Sequence, residues 1–200
     1  MQHKLIIPTD IYQSTRDDLY QYVYYPKGGI INTKNTNSYW YLNEQQVGCF
    51  TGDNSKFTNF DICIEIVGYT PETRTSSYSR GTDLPYVNGC STKQLIPPNR
   101  LGDPTWQLLN IPPLCKEQTH HIHSTVRVVY VVGGSGESIV GTPANSKKYD
   151  LIPGMCIILP KMLPHHFTAG TDGLLVAPLH VFSSTQLEQN HPMFHGTHIA

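Results

Sequence analysis

His121 and His123 stand two residues apart in Cys115–Gly136, CKEQTHHIHSTVRVVYVVGGSG, a stretch that turns β-branched and apolar after Ser124. A strand sends alternate side chains to opposite faces, so residues 121 and 123 point the same way. Two imidazoles converging on one face make two-thirds of a three-nitrogen metal site. Arg127 shares their parity and points inward wherever the strand is unbroken. Its guanidinium cannot ligate a metal and keeps its proton. It therefore adds positive charge to the site and favours an anionic ligand, held by a bidentate contact to a carboxylate. Glu117 is the nearby carboxylate of matching parity, placed to neutralise Arg127 or approach the metal. Tyr130 and His180 are secondary candidates as proton acceptors, Trp106 and Gln118 as pocket lining, and Met162 as packing or pocket lining.

The elements that must carry these groups are strands. The chain has 200 residues, enough for one domain with a sizeable core or one domain with an added arm. Fifteen prolines, sixteen glycines and twelve tyrosines read as short strands joined by turns. Leu19–Tyr25, LYQYVYY, alternates as an edge strand or arm suited to a subunit interface, and Ser14–Asp18 can cap a short helix ahead of it. SYWYL at 38–42 is a short strand. In FDICIEIVG, Phe60, Ile62, Ile64 and Ile66 take one face and Asp61, Cys63 and Glu65 the other, as in a half-buried strand. Residues 70–92 show no period and read as a long solvated surface loop, with a lid or binding loop that brings Arg74, Tyr78, Arg80 and Asp83 to a ligand as the alternative. From Lys93 onward strands follow one another: KQLI, TWQLLNI, HHIHSTVRVVYVV, ESIVG, MCIIL and LLVAPLHVF. That succession indicates an antiparallel sandwich or barrel. The tail Ser183–Ala200, with His191, His195 and His198, reads as a mobile end.

Fourteen basic side chains nearly balance fifteen acidic ones, with no basic stripe, which argues against a nucleic-acid partner. No run of about 18 apolar residues suits a membrane span, and MQHKLIIPTD has no signal-peptide pattern. The five cysteines are odd in number and widely spaced, without Cys-x-x-Cys. They read as free buried thiols of a cytoplasmic protein, against a disulfide framework or structural zinc.

Taken together, HIHSTVRVVYVVGG and GMCIILPKMLPHH resemble the two sequence motifs of the cupin superfamily, over about residues 93–182. The second motif keeps Gly154, Pro160 and His165, with Met162 for its inner glycine and Ala169 for its asparagine. The first keeps His121, His123 and the Gly133–Gly134 turn, with Cys115 for its leading glycine and Arg127 for the usual glutamate. The resemblance implies an all-β jelly roll with an N-terminal extension: an arm and edge strands over 1–60, the cupin domain over 61–182 and a tail over 183–200. It implies a divalent metal on His121, His123 and His165, iron(II) first, with zinc, nickel or manganese as alternatives. His166 competes for the third place, because a one-residue shift reverses a side chain's face. Three-histidine iron sites with an arginine anchor resemble thiol dioxygenases and the ring-cleaving gentisate family. The leading expectation is an iron(II) dioxygenase acting on a small anionic substrate, as a homodimer. A zinc or nickel isomerase or lyase with Tyr130 or His180 as base, and a non-catalytic binding cupin, are the rivals, since fold alone does not choose.

Overall fold

A computed structural model of the chain describes residues 4–15, 20–99 and 102–182. Among them lie fifteen strands, one 3-10 turn at Val87–Gly89 and no α-helix. Among the described residues no helix is long and apolar enough to cross a membrane. The chain divides into two compact units, Pro8–Ser79 and Met1–Ile7 with Arg80–Ala200. The tail histidines and residues 16–19 lie outside the described residues.

The first unit holds β1 (Tyr12–Gln13), β2 (Tyr22–Pro26), β3 (Ile31–Asn32), β4 (Ser38–Leu42), β5 (Gln46–Thr51), β6 (Lys56–Phe57), β7 (Ile62–Ile66) and β8 (Arg74–Ser77). Six of them form one antiparallel sheet, β1-β2-β7-β4-β5-β8, while β3 pairs with β6. This is a sheet in its own right, not an arm, and its boundary falls at 79/80 where the sequence places it at 60/61. The reason is β7, which pairs between β2 and β4 and so cannot leave this unit. β2 is correspondingly an inner strand, not an edge, with Tyr22 and Tyr24 buried.

All five residues of β7 are buried, so it is not half-buried as its alternation suggests. Glu65 is tolerated there because three neutral donors hold its carboxylate. Tyr25 Oη donates to Oε2 at 2.7 Å, and Tyr39 Oη and Asn37 Nδ2 donate to Oε1 at 3.1 and 2.5 Å. Burial, together with the Glu65 charge, drives both phenols well above the usual tyrosine range. Beside them Tyr41, Phe50, Phe57 and Phe60 form a chain of stacked and edge-on rings, the arrangement that aromatic quadrupoles favour.

The second unit holds β9 (Leu84–Pro85), β10 (Ser91–Ile96), β11 (Thr105–Ile111), β12 (Arg127–Thr142), β13 (Asn145–Leu151), β14 (Cys156–Leu159) and β15 (His165–His180). Its sheet runs β13-β12-β15-β11-β10-β9, with β14 also on β12 and every pairing antiparallel. The expected loop at 70–92 is thus broken by β8, β9, the 3-10 turn and the start of β10. One face of the sheet makes the core: Leu109 and Ile111, Val129 and Val131, Ile157 and Leu159, Phe167 and Ala169, Leu174 and Val176.

The glycines after Val132 make no turn. β12 runs straight through them, with register shifts against β15 at Val131/Gly133 and Gly134/Gly136. Such bulges bend a long strand. Gly134 has φ 74°, and a Cβ there would lie 2.1 Å from Gly173 O; a Cβ at Gly136 would lie 2.2 Å from Thr168 O. Only glycine lets the two sixteen-residue strands approach so closely. All five cysteines are free, and four are buried.

Candidate metal centre

His121 and His123 do not sit in a regular strand, because β12 begins only at Arg127. A single antiparallel bridge sets the first of them: His121 N–H donates to His165 O at 3.1 Å and His165 N–H to His121 O at 2.9 Å. Bridged residues project to one side, and the two imidazole centroids lie 4.6 Å apart. His123 is set from the other motif, since Met162 N–H donates to His123 O at 2.7 Å. Met162 has φ 61° and a half-exposed side chain. The left-handed backbone explains why glycine suits this position.

The three rings converge. His123 lies 4.8 Å from His121 and 5.2 Å from His165 between centroids. One nitrogen from each falls within 4.8 Å of the other two. His165 is the third member; its neighbour His166 takes the opposite face, where its Nδ1 meets His120 Nδ1 at 2.6 Å. His120 Nε2 is bonded to Gly141 O. Burial pushes His121 down to about 4 and His165 down to about 3, with the Arg127 charge adding to it. His123 is likewise held well below its ordinary value, by burial and then by Arg127. All three imidazoles are neutral at pH 7, the form that ligates a metal.

Two rings already hold the ligating tautomer. His121 Nδ1 is 3.1 Å from Thr119 O and His165 Nδ1 is 2.7 Å from Leu163 O. A carbonyl only accepts, so each Nδ1 carries the proton and each Nε2 presents its lone pair. His123 is different. Arg127 Nη2 lies 3.2 Å from its Nδ1, and a guanidinium only donates. His123 Nδ1 therefore holds the lone pair and Nε2 the proton, which points at His121 Nε2 3.1 Å away. The three residues fit a divalent ion once Arg127 releases that nitrogen.

Arg127 is 2% exposed and anchored through Nη1, which donates to Thr125 O at 3.4 Å and to Thr125 Oγ1. It faces inward, as its parity requires: it pairs with His180 and Leu159 across the neighbouring strands. His180 is buried on the same row, its ring 6.3 Å from that of His123. Tyr130 is not brought into the site. It pairs with Cys156 and Ala177, one residue from Val129 on an unbroken stretch of β12, and so projects from the opposite face. Trp106 likewise alternates with the inward residues of β11.

Glu117 is buried in a different place from that expected. Its backbone N–H donates to Phe167 O at 3.0 Å, and Cys90 Sγ lies 4.0 Å from its carbonyl oxygen. Burial pushes its carboxyl up to about 7, and its charge helps burial push the Cys90 thiol up to about 11. Among the loop candidates, Arg74 lies in β8 against Cys49, and Arg80 Nη1 would stand 3.6 Å from a Cβ at Gly133.

Sequence reasoning misses Gln107. It shares a face with Leu109 and Ile111 of the core and with Thr105, whose partner is His180. Gln107 is 2% exposed, and its Oε1 has no hydrogen-bond partner among the described residues. The available signal is a glutamine at core parity in TWQLLNI. An unmet buried acceptor is costly enough to need an explanation.

No family model matches the chain, and no curated protein matches it by sequence. Among solved structures it is similar to the 11S allergen of Cocos nucifera, with TM-score 0.56 and 10% identity over 92% of this chain and 90% of that one. It is also similar to a cupin 2 conserved barrel domain protein from Leptotrichia buccalis, with TM-score 0.50 and 13% identity over 90% of each chain. At these identities the likeness shows the fold, which is the all-β cupin jelly roll.

Proposed function

We propose that the protein is a metal-dependent cupin of the dioxygenase type, acting on a small anionic substrate. The observation that supports this is the joining of three converging neutral imidazoles to one buried arginine within hydrogen-bond reach of His123. A divalent ion on His121, His123 and His165, iron(II) in our reading, supplies open coordination positions and redox chemistry when bound.

The chain's own residues do the rest. The buried guanidinium of Arg127 takes the substrate's acidic group, a carboxylate, enolate or phenolate, and fixes its orientation. Gln107 Oε1 accepts a hydrogen bond from a hydroxyl or amino group on the same molecule, so the preferred substrate carries both an anion and a donor. The apolar shell of Leu109, Val129, Leu159 and Phe167 keeps water out, which strengthens both contacts.

Oxygen-electrode screening of iron-loaded protein against small hydroxy, thiol and aromatic acids tests this reading. Uptake that depends on substrate and is lost in Arg127→Met is the expected result. Turnover that is equal with and without metal contradicts it. A second reading, a non-redox isomerase or lyase, is favoured by one observation: His180 is buried 6.3 Å from the His123 ring, where it can take a proton beside a metal-polarised carbonyl. Turnover without oxygen uptake selects it.

A further inference from the structure

The geometry points to a coupling between the metal site and the anion site, with Arg127 as the shared element: the guanidinium blocks His123 until an anion draws it away. The identity of the two ligands rests on the proposed function; the coupling between them follows from hydrogen-bond polarity.

Arg127 Nη2 sits 3.2 Å from His123 Nδ1, and the contact has a single polarity because guanidinium has no acceptor. With Nδ1 accepting, the neutral ring carries its proton on Nε2. That proton points at His121 Nε2, 3.1 Å away, which is free to accept because His121 holds its own proton on Nδ1 toward Thr119 O. The chain Arg127, His123, His121, Thr119 is thus consistent from end to end, every donor meeting an acceptor. It is also the one arrangement in which His123 cannot ligate through Nε2. The contrast with His121 and His165, whose Nδ1 atoms face carbonyls, lies within the same cluster.

For His123 to join them its proton must leave Nε2 for solvent and another must be taken at Nδ1, with no net change in protonation. A protonated Nδ1 then faces a guanidinium, two donors with no acceptor between them, and Arg127 must turn away. A carboxylate or sulfonate gives the guanidinium somewhere to go. Metal and anion therefore assist each other, and by linkage the assistance is equal in both directions. Arg127 is in this respect a positioning residue that acts through His123, separate from its contact with substrate.

The test uses chelator-stripped wild-type protein. Two-bond 1H–15N NMR correlations of the histidine rings report tautomers directly. His123 is expected with its proton on Nε2, and His121 and His165 with theirs on Nδ1; after zinc loading His123 switches to Nδ1. In parallel, zinc affinity is measured by chelator competition with and without methanesulfonate, an anion that pairs with guanidinium and ligates zinc poorly. Wild type is expected to bind zinc about tenfold tighter with saturating methanesulfonate. Arg127→Met is expected to bind zinc tighter than wild type and to ignore the anion. A His123 proton on Nδ1 before loading, or zinc affinity indifferent to both methanesulfonate and Arg127→Met, overturns the coupling while leaving the metal site standing. Zinc that binds nowhere in wild type overturns both. The NMR arm needs no variant, so a poorly folding Arg127→Met leaves the proposal testable.

Discussion

At the scale of single residues, two buried polar groups separate structural from functional demands. Gln107 Oε1 is desolvated and unsatisfied, so replacing the side chain with an apolar one removes a cost of about 1–3 kcal/mol. Gln107→Leu is therefore expected to leave thermal stability unchanged or raise it, while weakening binding of hydroxy and amino acids relative to their unsubstituted parents. A variant that loses stability and keeps that preference would show that Gln107 serves packing alone. Glu117 makes the second case. Its folded carboxyl titrates near 7, against an ordinary 4.5, so the folded chain holds a proton that the unfolded chain has released. Its contribution is intact below pH 4.5 and lost as pH rises through 7. Glu117→Gln should then raise stability at pH 8 by about 1–3 kcal/mol and by much less at pH 5. Denaturant titrations at the two pH values check this, and an equal effect at both would contradict it.

At the scale of elements, the close contact of β12 and β15 is the feature most sensitive to a single methyl group. Gly134→Ala puts a Cβ against Gly173 O and asks a left-handed φ of an L side chain. The expected loss is about 2–4 kcal/mol, with metal affinity weakened too, since β15 carries His165. A thermal melt of Gly134→Ala that matches wild type would contradict the account of the bulge. Strand positions on this side were largely legible in the sequence because punctuation and alternation agree: TWQLLNI is β11 to the residue. The histidine set was legible for a different reason. Residues 121 and 123 converge although no regular strand contains them, because one bridge to His165 and one bond from Met162 N–H replace the ladder. What could not be read was face and depth. Parity places Arg127 inward and Tyr130 on the opposite face, as the pairing with Cys156 and Ala177 bears out, but β7 looks half-buried because Glu65 hides its three donors at positions 25, 37 and 39.

At the scale of the whole molecule, the buried histidines set the acid limit. The unfolded chain takes up protons on histidine near pH 6.5, whereas folded His121 does so near 4 and His165 near 3. The unfolded state thus binds more protons across that window. The contribution of these histidines to stability is full above about pH 6.5 and falls as pH drops toward 3. A metal held by the three rings stabilises the folded chain at neutral pH, where they are unprotonated, so zinc should raise the melting temperature of wild type and leave that of His165→Ala unmoved. The measurement that bears most directly on the account is elemental analysis of untagged protein purified anaerobically, alongside His123→Ala. The account predicts one transition-metal ion per chain, iron under these conditions, that disappears in the variant. A wild-type protein that carries no metal and takes none up on reconstitution would contradict it, and the three imidazoles would then be polar lining of a ligand pocket.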